Sequence, residues 1–228
     1  MTERHFDSSL RELKEQLLSM GGYVERAIEN ATQALIEWSP QKLSNVFEIE
    51  KKVNQLHITI DEGCVRLLAT QQPFAADLRL IVAILKINTD LERMGDQAVN
   101  IAHNGDRYMK AVPLKPLVDL PKMSSDVRVM VRLCLDAFVN GSELIAKDVL
   151  TRDDTVDAFK NKIFRDVLEH LKASPKEIEQ GLNLILIARN LERIGDHATN
   201  IAEDVIFALT GEDIRHSPRT ETIKESLK

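Results

Sequence analysis

Seven carboxylates in this chain have the spacing of shared ligands. Glu92 and Asp96, Glu192 and Asp196, and Asp153 and Asp157 are each four residues apart, and Glu50 has the same relation to the amide Asn54. On a helix, four residues is one turn, so both members of a pair point to the same flank. Two like charges held that way cost a helix roughly 0.2–0.5 kcal/mol, and opposing pairs on a neighbouring helix would add to the cost. A cation offsets it. Carboxylate oxygens with few imidazole or thiolate neighbours suit magnesium, manganese or iron better than a structural zinc. The other reading is a solvated face on which Arg93, Arg193, Lys51 or Lys160 neutralises the acids. Spacing alone leaves both open, and also whether His57 and His103, near the acidic flanks, act as ligands.

The elements that must position these residues are helices. Leu80, Ile84, Ile87, Leu91, Met94, Ala98 and Ile101 recur at alternating intervals of four and three, as do Leu184, Ile187, Leu191, Ile194, Ala198 and Ile201. Glu92, Asp96, Glu192 and Asp196 fall just off these apolar seams, beside the core and not within it. Val46, Ile49, Val53, Leu56 and Ile60 form a further seam with Glu50 and Asn54 at its side. Val156, Phe159 and Ile163 do the same for Asp153 and Asp157. Antiparallel neighbours would bring these flanks face to face.

Residues 91–102, LERMGDQAVNIA, and 191–202, LERIGDHATNIA, agree at nine of twelve positions one hundred residues apart. A duplicated domain is the simplest explanation. Each copy contains an interior helical glycine, Gly95 or Gly195, which costs about 1 kcal/mol relative to alanine and points to close packing or to a role beside the carboxylates.

The expected architecture is all-α, with two tandem, pseudo-symmetric three-helix bundles. The first occupies residues 1–110, with helices at 8–38 (interrupted at Gly21 and Gly22), 40–71 and 74–109. The stretch AVPLKPLVDLP at 111–121 has three prolines and reads as a linker. The second bundle occupies 122–211, with helices at 122–150 and 153–173 and a last one opened by a capping box of Ser174, Pro175 and Glu177. A polar, loosely held tail is expected at 212–228.

Composition narrows the function. The chain has 228 residues and a formal charge of −6, with 30 basic and 36 acidic side chains intermixed, so it lacks the basic footprint of a nucleic-acid binder. Its apolar runs are too short to insert in a membrane and its start is polar, so a cytoplasmic location is expected. Cys64 and Cys134 sit in apolar helical patterns and read as reduced core residues. No nucleophile with a partnered base and no phosphate-cradling glycine loop is visible, so no catalytic residue is assigned.

The two twelve-residue motifs resemble the duplicated third-helix motifs of the PhoU family. MGGYVERAI at 20–28 and DEGCVRLLATQQPFAADLRL at 61–80 are also similar to that family, and the likeness extends to about residue 210. It implies paired three-helix bundles with multinuclear metal clusters, of iron, zinc or other ions, held by E(D)-x-x-x-D motifs, to which the donor chemistry above adds manganese and magnesium. These map to Glu92 with Asp96, Glu192 with Asp196, and Asp153 with Asp157. Glu50 stands where an acid is expected but Asn54 replaces its partner, so a weaker, smaller or absent first cluster is expected. The resemblance further implies a non-enzymatic adaptor that represses the phosphate-starvation response. Its implied partners are the phosphate ABC transporter's ATPase subunit, a sensor histidine kinase and a second copy of itself. Two rival readings are a carboxylate di-iron enzyme, disfavoured because no Glu-x-x-His occurs, and a metal-free helical scaffold.

Overall fold

The computed structural model describes residues 5–111, 113–114 and 119–215. They form six α-helices: α1 (His5–Glu37), α2 (Pro40–Gln71), α3 (Ala75–Tyr108), α4 (Leu120–Asn140), α5 (Glu143–Ala173) and α6 (Ile178–Thr210). No strand occurs among the described residues. Helices α1–α3 pack on one another, as do α4–α6, and α3 and α6 form the most extensive contact between the two sets. α1 also lies against α4.

Most positions of the seams read from the sequence are buried, whereas Ile49, Leu56, Leu80 and Phe159 are only partly buried and pack against the core. Ile84, Ile87, Leu91, Met94, Ala98 and Ile101 of α3 are fully enclosed, and so are Leu184, Ile187, Leu191, Ile194, Ala198 and Ile201 of α6. Each leucine, isoleucine or methionine among them contributes roughly 1.5–3 kcal/mol by leaving water. Leu17, Met20, Val24 and Ile28 give α1 the same inward stripe, and the buried residues of both halves join in one continuous core. Cys64 and Cys134 lie in it as free thiols, pushed up in pKa chiefly by burial, Cys64 to about 12.

Helix boundaries follow local chemistry, and at three places they differ from the expected ones. α1 runs unbroken through Gly21 and Gly22. A Cβ at Gly21 would come within 2.1 Å of Leu135 Cδ1, so this glycine admits α4 and does not interrupt α1. The expected helix at 122–150 is two elements. Gly141 ends α4 in the left-handed conformation at φ 59°, and the Ser142 side chain accepts a hydrogen bond from the Ile145 amide to open α5. The Gly-Ser pair is a C-cap followed by an N-cap, and it places Asp153 and Asp157 inside α5, not at its start. Ser174, Pro175 and Glu177 form a single 3-10 turn without a Ser174 side-chain cap, and the Glu177 carboxylate contacts His170 Nε2.

Of the proline-rich stretch, residues 112 and 115–118 lie outside the described residues, as do 216–228 of the expected tail. The described parts of both are anchored. The Leu114 amide donates to the Tyr108 hydroxyl at 2.9 Å. Ile214 is buried, and Arg215 pairs with Glu203 and Asp204 of α6.

Candidate metal centre

Two acidic faces occupy equivalent places, one between α2 and α3 and one between α5 and α6. The repeat glycines position them. A Cβ on Gly95 would lie 3.2 Å from Val53 Cγ1, and one on Gly195 would lie 3.5 Å from Val156 Cγ1 and 3.9 Å from Asp153 Oδ1. At Gly95 the missing methyl lets α3 ride close on α2 at the level of the carboxylates, whereas at Gly195 a methyl would meet only ordinary contacts. Val53 and Val156 are matching residues of their seams, so the same pair of positions meets in both halves, more tightly in the first.

In the second face Asp153, Asp157, Glu192 and Asp196 act on one another electrostatically. Loss of solvent around its carboxyl, and then the charges of Glu192, Asp153 and Asp157, push Asp196 up to about 6. The cationic Lys160 relieves part of the crowding. Its Nζ donates to Asp157 Oδ1 and to Glu192 Oε1, each at 2.8 Å, bridging α5 and α6. These hydrogen bonds, Asp157 first, raise the lysine's own pKa.

The first face is built differently at two positions. Asn54 donates from Nδ2 to Glu50 Oε1, and His57 stands where the second half has Lys160. A carboxylate is thereby replaced by an amide, and an ammonium group by an imidazole. Glu92 is raised by burial first and then by Asp96, with His57 and Arg93 opposing and Glu50 adding to the rise. Asn54 Oδ1, His57 Nδ1 and Asn88 Oδ1 are buried without a hydrogen-bond partner, and Asn88 Nδ2 donates to the His57 carbonyl. His103 packs its ring against Phe47, with centroids 5.0 Å apart.

Each sequence-derived acid therefore lies on the expected flank: Glu50, Glu92 and Asp96 meet on one face, and Asp153, Asp157, Glu192 and Asp196 on the other. Among the described residues, no three His, Cys, Asp or Glu side chains are gathered closely enough to hold a metal ion. The donor types fit a hard or borderline cation. Seating one would require it to displace Lys160 Nζ in the second face and to turn Asn54 so that its carbonyl oxygen points inward in the first.

Sequence reasoning missed a second polar locus, between α3 and α6. His197 Nδ1 lies 2.8 Å from Asp90 Oδ1, and Asn200 Nδ2 donates to the same oxygen at 3.4 Å. Two turns along α6 from His197, Asp204 Oδ1 takes Lys86 Nζ at 3.0 Å and Arg215 Nη2 at 2.5 Å. These pairs run with rising numbers on α6 as numbers fall on α3, so the two helices are antiparallel. Nothing in the local pattern marked them, because their meeting depends on how the two repeats dock.

A family model described as the PhoU domain matches the chain twice, over residues 17–104 and 120–205. The phosphate-specific transport system accessory protein PhoU homolog of Pseudomonas putida is 39% identical over 214 residues, spanning 93% of this chain and 84% of that protein. The corresponding homolog of Aquifex aeolicus is 38% identical over 91% of this chain and 94% of its own length. Among solved structures, PhoU from Pseudomonas aeruginosa superposes with a TM-score of 0.88 at 39% identity, covering 91% of this chain and all of that one. The phosphate transport system regulatory protein PhoU from Streptococcus pneumoniae gives 0.84 at 26% identity, covering 92% and 99%.

Proposed function

Because this chain belongs to the PhoU family, we propose that it is an accessory regulator of phosphate transport and not an enzyme. The observation that carries this reading is likeness across both repeats: relatives named as accessory proteins of the phosphate-specific transport system align with over nine-tenths of the chain. Their names describe accessory or regulatory proteins.

In finer terms, the protein is a cytoplasmic adaptor that represses the phosphate-starvation response when phosphate is plentiful. It couples the ATPase subunit of the phosphate ABC transporter to a sensor histidine kinase, and it works as a homodimer. No described helix is long and apolar enough to cross a membrane, so contact with the transporter is made through helix surfaces. Deleting the gene in the native host tests this. Phosphate-scavenging transcripts should rise in phosphate-rich medium, and an unchanged transcript profile would refute the adaptor role.

We further propose that the acid faces take cations. Glu50, Glu92 and Asp96 would hold one set, and Asp153, Asp157, Glu192 and Asp196 the other. A bound iron, zinc, manganese or magnesium ion would supply positive charge that ties neighbouring helices together. Crowding around Asp196 supports this, since burial and then the charges of Glu192, Asp153 and Asp157 raise its pKa even with Lys160 present. Equilibrium dialysis with manganese separates the alternatives: a bound-metal content unchanged by replacement of both Glu192 and Asp196 with alanine rules out the second site.

A further inference from the structure

Where α3 crosses α6, Asp90 and the Lys86–Asp204–Arg215 group border a cleft of ≈ 320 Å³ that also reaches Thr89, Arg93 and Asn200. Three cations, Lys86, Arg93 and Arg215, outnumber two carboxylates, Asp90 and Asp204. The Asp204 side chain is only 2% exposed, and a single oxygen of it, Oδ1, serves both Lys86 and Arg215. Arg215 also reaches Glu203, outside the lining, at 3.2 Å. Asp90 likewise uses Oδ1 for His197 and Asn200. Among the described residues, Oδ2 of neither carboxylate takes a hydrogen bond. Arg93 makes no hydrogen bond or ion pair among the described residues.

The duplication shows that the fold does not require these charges. One hundred residues away, the positions matching Lys86, Asp90 and Asp204 hold Leu186, Asn190 and Asn104. Arg93 and Asn200 are matched by Arg193 and Asn100. The matching positions of the other repeat therefore carry neither the carboxylates nor Lys86. Burying Asp204 costs free energy, which its two cations offset. An internal brace alone would not need the third, unpaired cation at the mouth.

We propose that this cleft binds a small oxyanion that still carries a proton, the chemistry of free hydrogen phosphate. Arg93, with the remaining donors of Lys86 and Arg215, attracts the negative oxygens. Asp90 and Asp204 accept the P–OH proton and repel an anion that has none to give. Sulfate has lost its proton at neutral pH, and a phosphomonoester, with a second pKa near 6, has largely lost its own. The cleft therefore selects free phosphate over both. The site uses none of the acid-face carboxylates, although the charge of Arg93 also acts on Glu92 of the first face, and it does not rest on the adaptor reading, which the transcript measurement tests by itself.

Calorimetric titration of the full-length protein at pH 7 and constant ionic strength is the test, with inorganic phosphate, sulfate and phosphoserine as probes. Phosphate should bind saturably, and sulfate and phosphoserine at least about tenfold more weakly, the effect of one charge-assisted hydrogen bond. Arg93→Gln, a change at an exposed and unpaired side chain, should weaken phosphate about tenfold. Asp90→Asn should bring phosphate and sulfate closer to equality. Absence of saturable phosphate binding, equal affinity for sulfate, or an unaltered affinity in Arg93→Gln would each overturn the proposal.

Discussion

At the scale of single residues, the acid faces differ from ordinary helix surfaces in how their charge is balanced. Asp196 holds its proton more tightly in the folded protein than in the unfolded chain, because its carboxyl is desolvated and faces Glu192, Asp153 and Asp157. An acid with a raised folded pKa favours the folded state while protonated. Its contribution is therefore greatest below the ordinary carboxylate value near 4 and is lost as pH rises through about 6. Asp196→Asn should raise the melting temperature at pH 7 by about 1–3 °C in chelator-treated protein, the gain being limited by solvent screening, and should leave it nearly unchanged at pH 4. Thermal melts across that pH range read the difference. Lys160 lies between Asp157 and Glu192 where a cation would sit. Lys160→Gln should lower the melting temperature without added metal and tighten manganese binding several-fold, by freeing two carboxylates from a competing ammonium group. Unchanged manganese affinity in dialysis would show that Lys160 and the cation do not compete.

Among the helices, the glycines separate by what surrounds them. Gly195 has only ordinary contacts at the position of a Cβ, with Val156 at 3.5 Å. Gly195→Ala should keep the fold and gain up to about 1 kcal/mol from helix propensity. Gly21→Ala should lose up to about 1 kcal/mol, because its methyl would fall 2.1 Å from Leu135 Cδ1 and force that side chain out of its rotamer. Urea denaturation of the two variants measures the opposite signs. Much of this scale was legible in the sequence. The apolar intervals of four and three located the buried seams, and the repeated glycines signalled close approach. The break at Gly141 and Ser142 was missed because apolar periodicity continues across it, whereas the cap chemistry that ends one helix and starts the next occupies only two residues.

Over the whole molecule, the two repeats share one core. α3 and α6 provide the largest contact between them, and Ile87, Leu91, Met94 and Ala98 are as fully buried as Ile187, Leu191, Ile194 and Ala198. A fragment of residues 1–111 would expose the α6-facing side of α3 and the α4-facing side of α1. It should retain helical far-ultraviolet dichroism, lose near-ultraviolet signal and bind a hydrophobic dye. A cooperative melt of this fragment, with no dye binding, would show that each repeat folds alone.

Sequence by itself determined the helical class, the duplication, the seams and the flank on which each acid stands, because these follow from a helix turn of 3.6 residues and from one hundred residues of internal spacing. Tertiary structure alone decided what each flank meets. Lys160 reaches Glu192 across 32 positions, and Lys86 reaches Asp204 across 118. Local periodicity orients a side chain about its own helix axis but contains nothing about the height at which two helices cross. That height is set by packing around Gly95, Gly195 and the α3–α6 seam, so the charge partners and the cleft beside Arg93 emerge only when the repeats dock.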